Sequence, residues 1–178
     1  AAVAVVRFAS RGRSVIEGIF MLPLMVPTIL LGVGLYLAAA LTGLTNGFLG
    51  LILGHTLIAT PYVIRLVVAG LENIGASTEE AAKSLGCSGV SAFMLVVLPQ
   101  LRTSIASGAI FAFIVSFSDI NLSLFLAGAG NVTIPVRIFS DINWQGTPVI
   151  AAASAIQMAL ICGLVILVQR GLGGRIAA

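Results

Sequence analysis

The chain consists of long uncharged runs separated by short polar segments. Residues 18–64 contain no charged side chain, and only the segment Thr-Gly-Leu-Thr-Asn-Gly at 42–47 interrupts their apolar character. Since a helix needs about 20 apolar residues to cross a bilayer, this region predicts two spans joined by a short turn. A third run, residues 103–126, is interrupted only by Asp119, and residues 148–168 form a fourth. The pattern predicts an all-α integral membrane protein with four complete spans.

Composition supports this class. Hydrophobic residues make up 59% of the chain and charged residues 8%, whereas soluble proteins average about 25% charged residues. Residues 1–6 are too few to cross a membrane and are followed by Arg7, so they are predicted to be the tail of an earlier helix in a chain that lacks an initiator Met. The two cysteines, Cys87 and Cys162, lie in different kinds of segment and are expected to be free thiols.

Prolines and small residues indicate that the spans belong to a bundle. Prolines inside a span remove backbone hydrogen bonds and tend to kink it, which lipid tolerates only if neighbouring helices or water satisfy the released carbonyls. Small residues repeat every four positions in two spans, which lets helix backbones approach closely. The prolines are Pro23, Pro27 and Pro61, and the small residues are Gly50 and Gly54 in one span and Ala155, Ala159 and Gly163 in the other.

Positively charged residues predict the orientation. Counting on alternate sides of the spans puts eight Lys and Arg residues on one side and Arg137 alone on the other, so the first side is predicted to be cytoplasmic. Within a single transmembrane domain covering residues 1–178, residues 72–102 then form a cytosolic loop, residues 127–147 face outward, and the C-terminus is cytoplasmic. The eight are Arg7, Arg11, Arg13, Arg65, Lys83, Arg102, Arg170 and Arg175.

The predicted cytosolic loop contains a short helix. Ser77 and Glu80 have the spacing of a capping box, so a helix is predicted to begin at Ser77. Gly86 can adopt the left-handed conformation that ends a helix, which gives about two turns. A second, more apolar helix is predicted from Val90 to Leu98, with Pro99 breaking the chain before the third span. So short a helix is marginal alone in water and needs a surface on which to dock, either a partner or the bundle itself.

The residues of this loop and their spacing match a known sequence signature. The run Glu80-Ala81-Ala82, then Gly86, then Val96-x-Leu98-Pro99 closely resembles the EAA signature of binding-protein-dependent ABC importer permeases, with Val96 at a position usually held by Ile. The resemblance implies the type I ABC importer permease helix bundle, in which the EAA loop forms a coupling helix that docks in a groove of the ATPase subunit. The ATPase-coupling candidates are Glu79, Glu80, Ala81, Ala82, Gly86, Leu98 and Pro99.

The chain lacks the sequence of an ATPase. No Gly-x-x-x-x-Gly-Lys-Ser/Thr phosphate loop occurs, and no catalytic or metal-ligand spacing is found, so the chain is expected to be a non-enzyme without a cofactor of its own. The resemblance implies an ATPase dimer, a second permease subunit that is identical or different, an external solute-binding protein and membrane lipid as partners, with no nucleic acid. It also implies a multi-pass protein of the bacterial inner membrane.

Asp119 is the candidate residue of the translocation path. An ionisable group in an apolar span usually faces a cavity or a partner charge, and the polar neighbours Ser118 and Asn121 are included as path candidates. Two structural alternatives stay open: an ion pair with Arg137, or a cap on a broken helix. Counting from Thr103 at about 1.5 Å per residue places Asp119 in the outer part of the hydrocarbon core.

The resemblance extends over nearly the whole chain. The segments SFSDINLSLFLAGAG, TIPVRIFSDI and TPVIAAAS are similar to the polyamine, opine and aminophosphonate branch of these permeases. Polyamine members usually carry two adjacent acids at the positions of Asp119 and Ile120, and this chain has only the first. The implied function is a permease subunit that forms the path of a small polar solute of one of these classes.

Three other polar or aromatic residues are predicted to have structural roles. One of them, His55, also suggests a function that competes with the permease interpretation. His55, within the second span, is predicted to hydrogen-bond between helices, Arg65 to snorkel or pair near a span end, and Trp144 to anchor the outer interface. The rival is a proton-coupled secondary carrier that uses Asp119 and His55 as a proton relay. It predicts transport driven by the proton gradient and no ATPase partner.

Overall fold

The computed structural model describes residues 2–7, 12–43, 47–128, 130–144 and 148–173. All regular structure in this part of the chain is helical. Among the positions used above, Arg11 and Arg175 and the side chains of Arg7, Trp144 and Arg170 lie outside the described residues. The helices are α1 (Ala2–Arg7), α2 (Arg13–Met25), α3 (Thr28–Thr42), α4 (Gly47–Ser84), α5 (Gly89–Ala92), a π-helical segment (Phe93–Val97), α6 (Leu98–Ser118), α7 (Ser123–Leu126), α8 (Ile134–Trp144) and α9 (Pro148–Gly173).

Three helical stretches of the described residues are long and apolar enough to cross a membrane. They are α4, the continuous stretch Gly89–Ser118, and the first part of α9 at Pro148–Ile166. These correspond to the second, third and fourth spans expected from the sequence. The all-α membrane fold is therefore confirmed.

The first predicted span is not a single straight helix. Its residues form α2 and α3, which meet at an angle of 95°. With 13 and 15 residues, each helix is about 20 Å long, short of the roughly 30 Å hydrocarbon core. The bend occurs because Pro27 cannot donate a backbone hydrogen bond and forces the preceding Val26 out of the helical region, to φ −97° and ψ 129°.

The pair α4 and α6 forms the centre of the fold. The two helices approach closely at glycines: a Cβ atom at Gly70 would overlap the Ser104 side chain, and one at Gly108 would lie 3.3 Å from the Val63 Cα. The core residues Leu71, Val97 and Leu101 lie beside this crossing and exclude solvent almost completely. The absence of side chains at the two glycines thus sets the separation of the two helices.

Replacing Gly70 with Ala is expected to lower the stability of the bundle by about 1–3 kcal/mol, because the new methyl group overlaps Ser104. The thermal midpoint of the purified protein in detergent measures this. Adding Ser104→Gly, which removes both overlapping atoms, should recover part of the loss. As a control, Gly34→Ala introduces a methyl group with nothing within 4 Å among the described atoms and should leave the midpoint unchanged. Equal midpoints for Gly70→Ala and wild type would contradict the close crossing.

The small-residue pattern of the second span packs as predicted. Leu122 and Leu126, at either end of the short segment containing α7, lie against Gly50 and Gly54 of α4 and form a buried cluster with Leu51 and Ile58. The corresponding prediction for the fourth span is not met within this chain. Ala155 and Ala159 are exposed, and no described atom lies within 4 Å of a Cβ placed at Gly163. The packing of α9 is instead marked by the Gln157 amide, which donates to the Phe117 carbonyl at 3.2 Å.

Candidate functional site

Two separate regions hold the predicted site residues. The first, called here the polar hairpin, comprises residues 76–99, where the chain leaves α4 and turns into α5. Its first arm, residues 76–84, is the last part of α4 and follows Gly75, whose backbone is non-helical with φ 71° and ψ 159°. The predicted capping box is wrong: within the described structure Ser77 and Glu80 share no hydrogen bond, and the neighbouring Thr78 hydroxyl donates to the Ile74 carbonyl at 2.9 Å. The helix is instead interrupted at Gly75, two residues before the predicted start at Ser77, because glycine adopts positive φ without strain.

The tip of the polar hairpin is closed by Gly86. This residue has φ 91°, and two backbone hydrogen bonds satisfy the last carbonyls of the helix: Gly86 N–H donates to Lys83 at 2.9 Å and Cys87 N–H donates to Ala82 at 3.1 Å. This pair is the Schellman motif, which needs a left-handed residue at that position. The prediction that Gly86 ends the helix is confirmed.

The second arm is continuous with the third span. The Ser88 hydroxyl caps α5 by accepting from the Ser91 N–H at 3.2 Å. The predicted break at Pro99 is wrong, because the helix widens just before it: the Leu98 N–H bonds to the Phe93 carbonyl, five residues back. This π-type turn accommodates the proline ring, and the Gln100 side chain donates to the Val96 carbonyl at 3.0 Å. The two predicted helices of residues 72–102 are thus both present, and they form a helical hairpin.

Most of the coupling candidates lie on the surface of the polar hairpin. Five are exposed: Glu80, Ala81, Gly86, Leu98 and Pro99. Ala82 is buried and faces the interior of the hairpin. Glu79 forms an ion pair with Lys83 at 2.7 Å along the helix face.

Sequence reasoning missed the apolar surface of the same hairpin. Leu85 is 87% exposed, Val90 73% and Leu95 71%. Leu85 directly precedes the glycine that closes the tip, so its position at a helix end was the available signal. Single exposed apolar residues are common on protein surfaces, so these three carry weight only together with the coupling candidates on the same hairpin.

The second region, called here the outer cluster, consists of Ser116, Ser123, Asp119 and His55. Asp119 lies just after the end of α6 rather than within a span, which corrects the predicted third run. Its Oδ2 accepts hydrogen bonds from the backbone N–H of Leu122 and of Ser123, each at 3.1 Å, and from the Ser123 hydroxyl at 3.3 Å. Of the structural alternatives, the helix cap is therefore the one observed. Arg137 pairs with Asp141 at 3.2 Å instead.

His55 connects three helices within the outer cluster. Its Nδ1 lies 3.0 Å from the Ser116 hydroxyl of α6, and its Nε2 lies 3.1 Å from the Ser123 hydroxyl of α7. Ser123 is fully buried. The predicted hydrogen bond between helices is confirmed, whereas the link through Ser123 to Asp119 was not anticipated, because residues 68 positions apart carry no sequence signal of contact.

The other two path candidates differ in orientation. The Ser118 hydroxyl donates to the Ile114 carbonyl of its own helix. The exposed Asn121 side chain donates to the Thr28 hydroxyl at 3.3 Å, beside the bend between α2 and α3. Asp119 and Asn121 thus share one turn, and that turn contacts α3 on one side and α4 on the other.

Comparison with known proteins agrees with this architecture. The family model described as binding-protein-dependent transport system inner membrane component matches residues 1–177. The chain is 32% identical over 168 residues to the spermidine/putrescine transport system permease protein PotC of Haemophilus influenzae, covering 94% of this chain and 65% of that protein. It is 29% identical to the protein of the same name from Escherichia coli K12, with coverages of 94% and 64%.

A further relative is the putrescine transport system permease protein PotI of Escherichia coli K12. It is 30% identical over 163 residues, which cover 88% of this chain and 58% of that protein. The chain therefore spans less than two thirds of the length of each of these curated relatives. The match of the family model over nearly the entire sequence, together with helices long and apolar enough to cross a membrane, shows that the chain belongs to the family of binding-protein-dependent transport system inner membrane components.

Proposed function

We propose that the chain is part of the permease subunit of an ATP-driven importer and transmits the work of a separate ATPase through the polar hairpin. The observation that supports this most directly is the hairpin itself. It is an exposed helical tip, closed by Gly86 and bearing the exposed Leu85. Its first arm follows the long part of α4 after the break at Gly75, and its second arm continues into α6.

The polar hairpin has the properties that a docking element requires. Its first helix is too short to be stable alone in water, and three local features hold it in shape: the Schellman motif at Gly86, the Ser88 cap and the pair between Glu79 and Lys83. Exposed Ala81 and Gly86 add little bulk, so a partner surface can approach the backbone. The exposed Glu80 provides a polar contact at the same tip.

The proposed assembly has further members. Since the sequence contains no phosphate-binding loop, ATP hydrolysis is assigned to an ATPase dimer. A second permease subunit completes the path, and an external solute-binding protein delivers the solute. The polar hairpin and the C-terminus lie on the cytoplasmic side of the inner membrane, as the distribution of Lys and Arg indicates.

For the solute, we propose a small polar molecule of the polyamine, opine or aminophosphonate classes. The names of the relatives make polyamines the first to test. Asp119 supplies an anionic group suited to an amine, and Ile120 beside it supplies none. A solute with fewer positive charges than spermidine therefore suits this turn at least as well as spermidine itself.

Purification of the tagged full-length protein from gently solubilised membranes tests the assembly. We expect a subunit carrying a phosphate-binding loop in stoichiometric amount, identified by mass spectrometry, and ATP-dependent uptake of labelled putrescine, spermidine or an aminophosphonate after reconstitution with the binding protein. The rival is supported by one observation, the hydrogen-bonded connection from His55 through Ser123 to Asp119. A protein that purifies alone and transports solute with a proton gradient and no ATP would establish that carrier instead.

A further inference from the structure

The helix α4 carries a residue of the outer cluster near one end and the polar hairpin at the other. His55 lies in its first third, and the one non-helical residue within α4 is Gly75, at the root of the hairpin. The two residues are 20 positions apart in sequence, which corresponds to about 30 Å of helix. Pro61 is buried within this stretch and does not end it. His55 of the outer cluster and Gly75 at the start of the hairpin therefore belong to one continuous helix.

Hydrogen bonds connect the turn that contains Asp119 to this part of α4. His55 Nε2 lies 3.1 Å from the Ser123 hydroxyl oxygen, and that hydroxyl lies 3.3 Å from Asp119 Oδ2. Ser123 is fully excluded from solvent. A buried hydroxyl that lost either partner would leave a polar group unsatisfied, which is costly in an apolar interior.

The direction of these hydrogen bonds follows from the available protons. A hydroxyl has one proton, and that of Ser123 is directed to the carboxylate of Asp119. Ser123 must then accept from His55 Nε2–H, and the other ring nitrogen, Nδ1, accepts from the Ser116 hydroxyl. A neutral imidazole of this tautomer satisfies every contact of the cluster.

We propose that His55 is a positioning residue for Asp119, holding the turn at residues 119–122 in register with α4 so that the carboxylate moves with the helix that carries the polar hairpin. The proposal rests on the proposed function, since it links the ATPase contact to the solute path. Asp119 lies outside α6, after the helix ends at Ser118. Leu122 packs the same turn against α4, and the hydrogen bonds through Ser123 add the one link to α4 among the described residues that reaches the carboxylate itself.

Two pairs of variants separate hydrogen bonding from packing. His55→Gln places an amide nitrogen near the position of Nε2 and keeps the bond to Ser123, whereas His55→Asn reaches only the position of Nδ1. Ser123→Ala removes the bridging hydroxyl from the other side. Thr56→Val is the matched control, because the adjacent Thr56 hydroxyl donates to the Ile52 carbonyl of its own helix at 2.7 Å and has no other hydrogen-bond partner among the described residues.

The measurement is the amount of solute taken up per ATP hydrolysed by the complete reconstituted complex, with assembly checked by gel filtration. For His55→Asn and Ser123→Ala we expect this ratio to fall roughly tenfold, as the loss of a buried hydrogen bond between moving parts implies. ATP hydrolysis should continue in both. His55→Gln and Thr56→Val should stay within about twofold of wild type, less than the effect of one such bond.

An assembled His55→Asn or Ser123→Ala complex with the wild-type ratio would overturn the proposal. The same holds if His55→Gln is as impaired as His55→Asn, since the ring would then act by its volume. If His55→Asn does not assemble, Ser123→Ala decides the matter. A wild-type complex without ATP-driven uptake would contradict the proposed function rather than the role of His55, so the two failures are distinguishable.

Discussion

Replacing Gly86 with Val is expected to abolish stable binding of the ATPase while leaving the helix bundle folded. The backbone at Gly86 has φ 91°, a conformation that a β-branched residue adopts only at a cost of about 1–3 kcal/mol. The tip packs against little else, so the strain is relieved by unwinding the last turn, which displaces Glu80, Ala81 and Leu85. ATPase recovered with the tagged protein, and solute-stimulated ATP hydrolysis, should each fall at least tenfold, since about 1.4 kcal/mol changes an equilibrium by that factor.

Three comparisons make this result specific. Gly86→Asn should retain most binding, because Asn tolerates the left-handed region. Gly89→Ala adds a methyl group that meets only the Lys83 side chain, at an ordinary 3.7 Å, and should behave as wild type. The thermal midpoint in detergent should be the same in all of these variants. Normal solute-stimulated ATP hydrolysis by Gly86→Val would remove the assignment of the polar hairpin as the ATPase contact.

Replacing Asp119 with Asn is expected to impair solute uptake with the complex intact. The amide oxygen can still accept from the backbone N–H groups of Leu122 and Ser123, so the turn keeps its cap. The negative charge is lost. The second carboxylate oxygen, Oδ1, accepts no hydrogen bond from the described residues and is the atom available to an amine. If an ammonium group binds there, the KM for uptake should rise roughly tenfold or more, because hydrogen bonds to charged groups contribute about 1.5–3 kcal/mol.

Asp119→Ala distinguishes charge from capping. It removes the cap as well, so the turn should lose about 1 kcal/mol of stability in addition to the effect on uptake. Measuring both the KM for uptake and the thermal midpoint separates the two contributions. Unchanged uptake kinetics in Asp119→Asn would limit Asp119 to the structural role of a helix cap and leave the path to other residues.

Features that depend on residues near one another in sequence were the ones that the sequence predicted well. The second half of the predicted run 18–64 and most of the runs 103–126 and 148–168 lie in helices long and apolar enough to cross a membrane, because length and composition alone decide this property. The end of the hairpin helix at Gly86 was also predicted, because a left-handed cap is a local requirement. The family signature in the same segment indicated the family that the comparison then showed.

Errors arose where local rules compete. Pro27 produced a bend of 95°, whereas Pro99 produced no break because a π-type turn absorbed it. Sequence patterns do not rank these outcomes, since both prolines follow a β-branched or apolar residue in an apolar stretch. Asp119 was placed inside a span because an apolar run continues past it, yet its backbone is extended at the end of α6 and its carboxylate caps the following turn by accepting three hydrogen bonds.

By itself, the sequence determined that this protein is a bundle of membrane helices with one polar helical segment between two of them, because apolar length and helix-ending glycines act locally. Only the tertiary structure decided that Ser116 and Ser123 meet His55 of α4, and that Ser123 connects His55 to Asp119. Those contacts join positions 61 and 68 residues apart, and they require that α4, α6 and α7 pack together. The separation of the helices depends on the packing of the whole bundle, so it cannot be predicted from any single segment of the sequence.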